Sequence, residues 1–155
     1  MATQTRLFYK ALSRSYLSGV RLNTACDLST LNAHTKRTLS TKELIKDVES
    51  EESFVNDIKA PDFPVIVDFH ADWCGPCKLL APKLLEAVRE DARFRLLKVN
   101  IDNFPETTKK YKIMSVPTVY AFYKGEPLKY FIGFQNTPGL KKFLEEVAEL
   151  AASKK

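Results

Sequence analysis

Two cysteines three residues apart, Cys74 and Cys77, stand where an apolar run gives way to a turn, in Val65-Ile66-Val67-Asp68-Phe69-His70-Ala71-Asp72-Trp73-Cys74-Gly75-Pro76-Cys77-Lys78. A pair at this spacing can exchange disulfides. The exchange needs a thiolate, and a free cysteine with a pKa of about 8.5 is only about 3% ionised at pH 7. The spacing puts Cys74 at the start of a helix, where unsatisfied backbone N–H groups and the positive end of the helix dipole favour the anion. Cys77 lies one turn further in and is less exposed and less acidic, so it is the natural resolving thiol. Gly75 lets the chain turn tightly, and Pro76 lacks an N–H that would be unpaired there anyway.

The neighbours read as support for that chemistry. Asp68 interrupts an apolar strand, as a buried functional acid does, and such a carboxylate should titrate well above the ordinary value of about 3.9. Trp73, beside the nucleophile, is placed to shield the sulfurs and touch substrate. Zinc ligation by the cysteines is disfavoured: such sites take four ligands, and only His70 lies near in sequence. A static structural disulfide is disfavoured too, because this spacing closes almost no loop and stabilises little. By residue type alone Lys98 reads equally well as a surface lysine, and Pro117 as an ordinary trans proline.

Trp73-Cys74-Gly75-Pro76-Cys77-Lys78 resembles the active site of thioredoxins, and the resemblance runs from about Leu44 to the C-terminus. Asp68 resembles the family's buried acid, and Lys98, in Leu96-Leu97-Lys98-Val99-Asn100-Ile101-Asp102, the lysine that faces it. Val116-Pro117-Thr118 is similar to the family's cis-proline turn, Gly133 to the glycine of its substrate rim, and Pro82 to the proline that bends its active-site helix. His70 departs from the aromatic residue of many bacterial and cytosolic members and is similar to the mitochondrial ones, which bears on packing and pH response near the site.

The resemblance implies that Cys74, Cys77, Asp68 and Lys98 are catalytic and that Cys74–Cys77 forms a redox disulfide. It also implies that Trp73, Gly75, Pro76, Val116, Pro117 and Gly133 contact substrate. It implies recycling by a flavin-dependent, NADPH-fed thioredoxin reductase and disulfide-bearing protein substrates such as peroxiredoxins, with no cofactor or metal bound by the chain itself. Pro76, where the isomerase-type site carries His, argues for a reductant rather than an oxidising folding catalyst. The alternative from another class is a redox-sensing binding module whose dithiol state gates docking to a partner.

Alternating elements must position these residues. The pattern predicts a short helix over 51–60, a buried strand over 64–69, a helix over 74–89 bent at Pro82, and a β-rich stretch over 94–101. A short helix over 105–111, a strand over 118–123, a turn at Lys124-Gly125-Glu126 and a strand over 128–132 follow. A last helix is predicted with Thr137 as N-cap, Pro138 at its first position, and Leu140, Phe143, Leu144, Val147 and Ala148 on one apolar face. The expected fold class is α/β: a thioredoxin fold, with a central mixed sheet flanked by helices.

Composition suits one globular domain: 155 residues with 45% hydrophobic side chains. The net charge of +5 is unevenly spread. Residues 1–40 hold Arg6, Lys10, Arg14, Arg21, Lys36 and Arg37 against the single acid Asp27, whereas 41–155 balance 18 basic with 18 acidic side chains. Basicity confined to one end argues against nucleic acid as a partner. The first forty residues are also rich in Ser and Thr, and Leu7, Phe8, Leu12, Tyr16, Leu17 and Val20 recur at helical spacing between the basic ones. These features predict a mitochondrial transit peptide over 1–40, cleaved near Arg37-Thr38-Leu39-Ser40 with loss of Cys26, ahead of a thioredoxin domain over 41–155 in the matrix. The sequence has neither an unbroken apolar core of the secretory kind nor an 18-residue apolar run, so no membrane association is expected.

Overall fold

The computed structural model describes residues 44–59 and 62–154. The predicted transit peptide, its cleavage site and Cys26 lie outside the described residues, as does Ala60 at the end of the first predicted helix. In chain order the elements are β1 (Ile45–Asp47), α1 (Glu51–Lys59), β2 (Val65–His70), α2 (Gly75–Glu90), β3 (Arg95–Asn100), α3 (Pro105–Lys110), β4 (Thr118–Tyr123), β5 (Glu126–Ile132) and α4 (Thr137–Ala152). The strands form one sheet in the order β1-β3-β2-β4-β5. β3 runs parallel to both β1 and β2, while β4 runs antiparallel to β2 and β5. This is the mixed sheet expected from the sequence.

Strand alternation sorts the core into two layers. Val65, Val67 and Phe69 of β2 join Leu97 and Val99 of β3 and pack with Phe54 and Ile58 of α1 and with Phe104. Ile66 and Leu96 face the other way, onto Leu80, Leu84 and Val88 of α2 and Leu140, Phe143, Leu144 and Val147 of α4. On that second face β2 continues with Asp68 and then His70. Their register partners in β3 are Lys98 and Asn100. The sheet therefore turns from apolar to polar on one face only, beside the N-terminus of α2.

Three local expectations are corrected. β1 is added to the expected elements, its three residues offering too short a pattern to show a period. The last helix is capped by Asn136, whose side chain accepts from Gly139 N–H, so Thr137 is the first helical residue rather than the cap. Its apolar face is the expected one, with Ala148 packed half-buried against the core, and Ala151 extends it. The final strand begins at Glu126 rather than Leu128, because Lys124 and Gly125 alone make the turn, with φ of 52° and 83°. Two consecutive positive φ values suit the twist of a two-residue hairpin, and glycine supplies one without steric cost. Pro127 is accommodated beside a register shift at Ala121/Phe122.

Candidate active site

Cys74 is the N-cap of α2, with extended backbone (φ −83°, ψ 106°). Its Sγ accepts a hydrogen bond of 3.1 Å from the backbone N–H of Cys77. Capping positions take side chains that accept from this third helical N–H, and here the acceptor is sulfur. Pro76 lies between them in the first turn and has no N–H to leave unpaired. The two sulfurs are joined, with Cα atoms 5.3 Å apart. Both cysteines are 4% exposed in this disulfide form, so the expected difference in exposure is not seen there. The two differ in their place on the helix.

Around the sulfurs the chain supplies both apolar cover and open backbone. Ala71, Cys74 and Cys77 form a small buried cluster against which Ile101 and Val116 pack. The Val116–Pro117 peptide bond is cis. Pro117 O accepts from Gly133 N–H at 2.8 Å, tying the proline turn to the end of β5. Gly133 has φ +86°, with open space where a Cβ would stand, so backbone conformation rather than crowding calls for glycine. Trp73 is 69% exposed, and its indole N–H donates to Asp102 Oδ2 at 3.0 Å. Met114, 95% exposed two residues before Val116, and Ile132 and Phe134, exposed on either side of Gly133, add apolar surface.

Beside Cys77 lies a cleft of ≈ 190 Å³ lined by that residue, by Ala71 and Ala81, and by the polar groups Asp68, His70, Asp72, Lys78 and Lys98. Asp68 is 2% exposed, and its Oδ1 has no hydrogen-bond partner among the described residues. Burial pushes its carboxyl up to about 6 against the opposing attraction of Lys98. Lys98 faces this cleft, but its ammonium pairs with Asp47 Oδ1 at 3.3 Å. Asp47 lies opposite Lys98 in the parallel pairing of β1 with β3. The lysine thus acts on Asp68 as a nearby charge, not as a hydrogen-bond donor.

The structure gathers Cys74, Cys77, Gly75, Pro76 and Val116 at one point, sets Asp68 and Lys98 in the cleft behind it, and ties Pro117 to Gly133. Sequence reasoning missed Asp102, Asp47, Met114, Ile132 and Phe134. Met114 carried a usable signal, being apolar in a segment without helical or strand period. Asp47 carried none, since its partner is set by strand order.

The family model described as "Thioredoxin" matches residues 45–146. "Probable thioredoxin-2" of Caenorhabditis elegans is 42% identical over 102 residues, covering 65% of this chain and 70% of that protein. The thioredoxin of Mycobacterium tuberculosis is 37% identical over 99 residues, with 63% and 85% covered. A solved thioredoxin structure from Plasmodium falciparum superposes with a TM-score of 0.61 at 36% identity, covering 65% of this chain and 97% of that one. Its fold, its Cys74–Cys77 pair and these relatives agree that the chain belongs to the thioredoxin family and is a thiol–disulfide oxidoreductase.

Proposed function

We propose that the protein is a mitochondrial-type thioredoxin that reduces protein disulfides in the matrix and is recycled by thioredoxin reductase. The observation that carries the catalytic order is the Cys77 N–H bond to Cys74 Sγ at the start of α2. That donor and the helix dipole favour negative charge on the Cys74 sulfur.

Cys74 thiolate attacks a substrate disulfide, forms a mixed disulfide and releases one substrate thiolate. The substrate chain lies against the backbone of Val116, beside Pro117, and against the rim at Gly133, with Trp73, Gly75 and Pro76 touching its flanks. Asp68 takes the proton from Cys77 as that sulfur attacks Cys74, and the second substrate thiolate leaves. Lys98 tunes Asp68 from a distance. Electrons from a flavin-dependent, NADPH-fed reductase then return the Cys74–Cys77 disulfide to the dithiol. Peroxiredoxins are the proposed clients among disulfide-bearing proteins.

Localisation is proposed from residues 1–40, whose basic and nearly acid-free composition fits a transit peptide. His70, similar to the mitochondrial members, supports the same assignment.

The test is trapping. Cys77→Ser attacks once and stalls as a stable adduct, so mixed-disulfide partners accumulate and are identified after expression in the host. Cys74→Ser forms none and loses disulfide reduction. Equal trapping by both variants would reverse the assigned order of attack. Sustained turnover with reductase and NADPH separates this reading from a redox-sensing docking module, which would turn over few times.

A further inference from the structure

We propose that His70 is a proton relay for the resolving step, carrying the proton that Asp68 takes from Cys77 out of the cleft to solvent. The inference rests on the reading that Asp68 serves Cys77. A carboxyl that is 2% exposed, with one oxygen lacking a partner, exchanges protons with bulk water only by way of the cleft it lines. A proton delivered to it must leave before the next cycle.

His70 is placed to take that proton. It lies two residues after Asp68 in β2, so the two side chains leave the sheet on the same face. Both line the cleft that holds Cys77. Asp68 is buried there, whereas His70 is half-buried. The end of β2 is fixed by a 2.9 Å bond from Ile101 N–H to His70 O, which holds the imidazole's backbone in place.

Lys98 on β3, Asp47 on β1 and Asp72 in the following turn act on His70 as charges, and Asp68 on its own strand and Lys78 on α2 line the same cleft. Burial, then Lys98, lower the imidazole below its ordinary value, against Asp72 and Asp47. It therefore stays neutral at neutral pH, and a proton that reaches it is readily given up to solvent.

The balance is complete without another reactant. Cys77 S–H loses its proton to the Asp68 carboxylate as the Cys77–Cys74 bond forms, and the Cys74–substrate S–S bond breaks with its electron pair on the substrate thiolate. Asp68 then passes the proton through water in the shared cleft to the His70 imidazole, which releases it to solvent. Both groups return to their starting state.

The experiment oxidises the reduced protein with 5,5′-dithiobis(2-nitrobenzoate). The first equivalent of coloured thiolate reports Cys74 attack and the second reports Cys77 attack. His70→Gln, polar but unable to carry a proton at this pH, leaves the first release unchanged and slows the second about 10-fold. That is less than the roughly 100-fold of direct general acid–base catalysis, because water enters the cleft. His70→Ala slows the second release likewise, and added imidazole restores it with increasing concentration while leaving the unmodified protein's rate unaltered. A second release that is unchanged, or slowed without imidazole rescue, overturns the relay and leaves His70 a packing residue. Equal acceleration of the unmodified protein by imidazole does the same, and needs no variant to fold. Asp68→Asn separates the two readings: if it too leaves the second release unchanged, the role of Asp68 itself fails.

Discussion

At the scale of the residue, Asp68 sets chemistry against stability. Its carboxyl titrates at about 6 in the fold against 3.8 for the free group. Below the lower value both folded and unfolded chains hold the proton, and the group is neutral to stability. Between the two values only the folded chain keeps it, so stability falls as pH rises through this window and levels off above it. A gap of about two units corresponds to a cost of about 3 kcal/mol at neutral pH. Asp68→Asn should therefore gain stability over the native protein at pH 7 by up to about 3 kcal/mol, less what the buried amide costs. The gain should vanish below about pH 4, because protonated Asp and Asn are then alike. Denaturant unfolding of both proteins at several pH values checks this; a difference independent of pH would mean that the carboxyl is not held high. The same variant should slow resolution of the mixed disulfide. The acid was legible because a charge breaks the apolar run Val65-Ile66-Val67. The partner of Lys98 was not, because Asp47 reaches it through pairing of strands about fifty residues apart in sequence.

At the scale of the element, α2 and the turns around it show where sequence signals are strong. The Gly75–Pro76 pair and the apolar spacing of Leu80, Leu84 and Val88 give the helix its start and its face, and the chain remains helical through Pro82. β1 was invisible for want of length. The cap of α4 lies one position before Thr137, because Asn136 and Thr137 are both capping types ahead of Pro138 and only the local bond decides between them. The Asn136 side chain makes that bond to Gly139 N–H at 2.9 Å. Asn136→Ala should destabilise the protein by about 1 kcal/mol, while Thr137→Ala should change little. Thermal unfolding of the two single variants distinguishes them, and a larger loss for Thr137→Ala would restore the original assignment. Because Gln135 and Asn136 follow closely on Gly133, loosening this cap should also raise the KM for protein substrates more than it lowers kcat.

At the scale of the molecule, charge divides the chain. Residues 1–40 carry all of the net +5, and residues 41–155 carry none of it. The elements from β1 to α4, with both core layers and the redox pair, lie within 45–152. A chain beginning at residue 41 should therefore fold cooperatively, reduce disulfides at the full rate and sit near neutral charge. Joined to a reporter, residues 1–40 should direct it to mitochondria. Replacing Arg6, Arg14 and Arg21 with Gln should leave the reporter in the cytosol. Import reads a positive face on an amphipathic helix, and these changes remove charge while leaving Leu7, Phe8, Leu12 and Leu17 in place. The three substitutions thus separate recognition of charge from recognition of apolar surface. A reporter that stays cytosolic with the native segment would overturn the targeting assignment and leave the redox chemistry standing. A shortened chain that fails to fold would instead show that residues before Thr41 contribute to the domain.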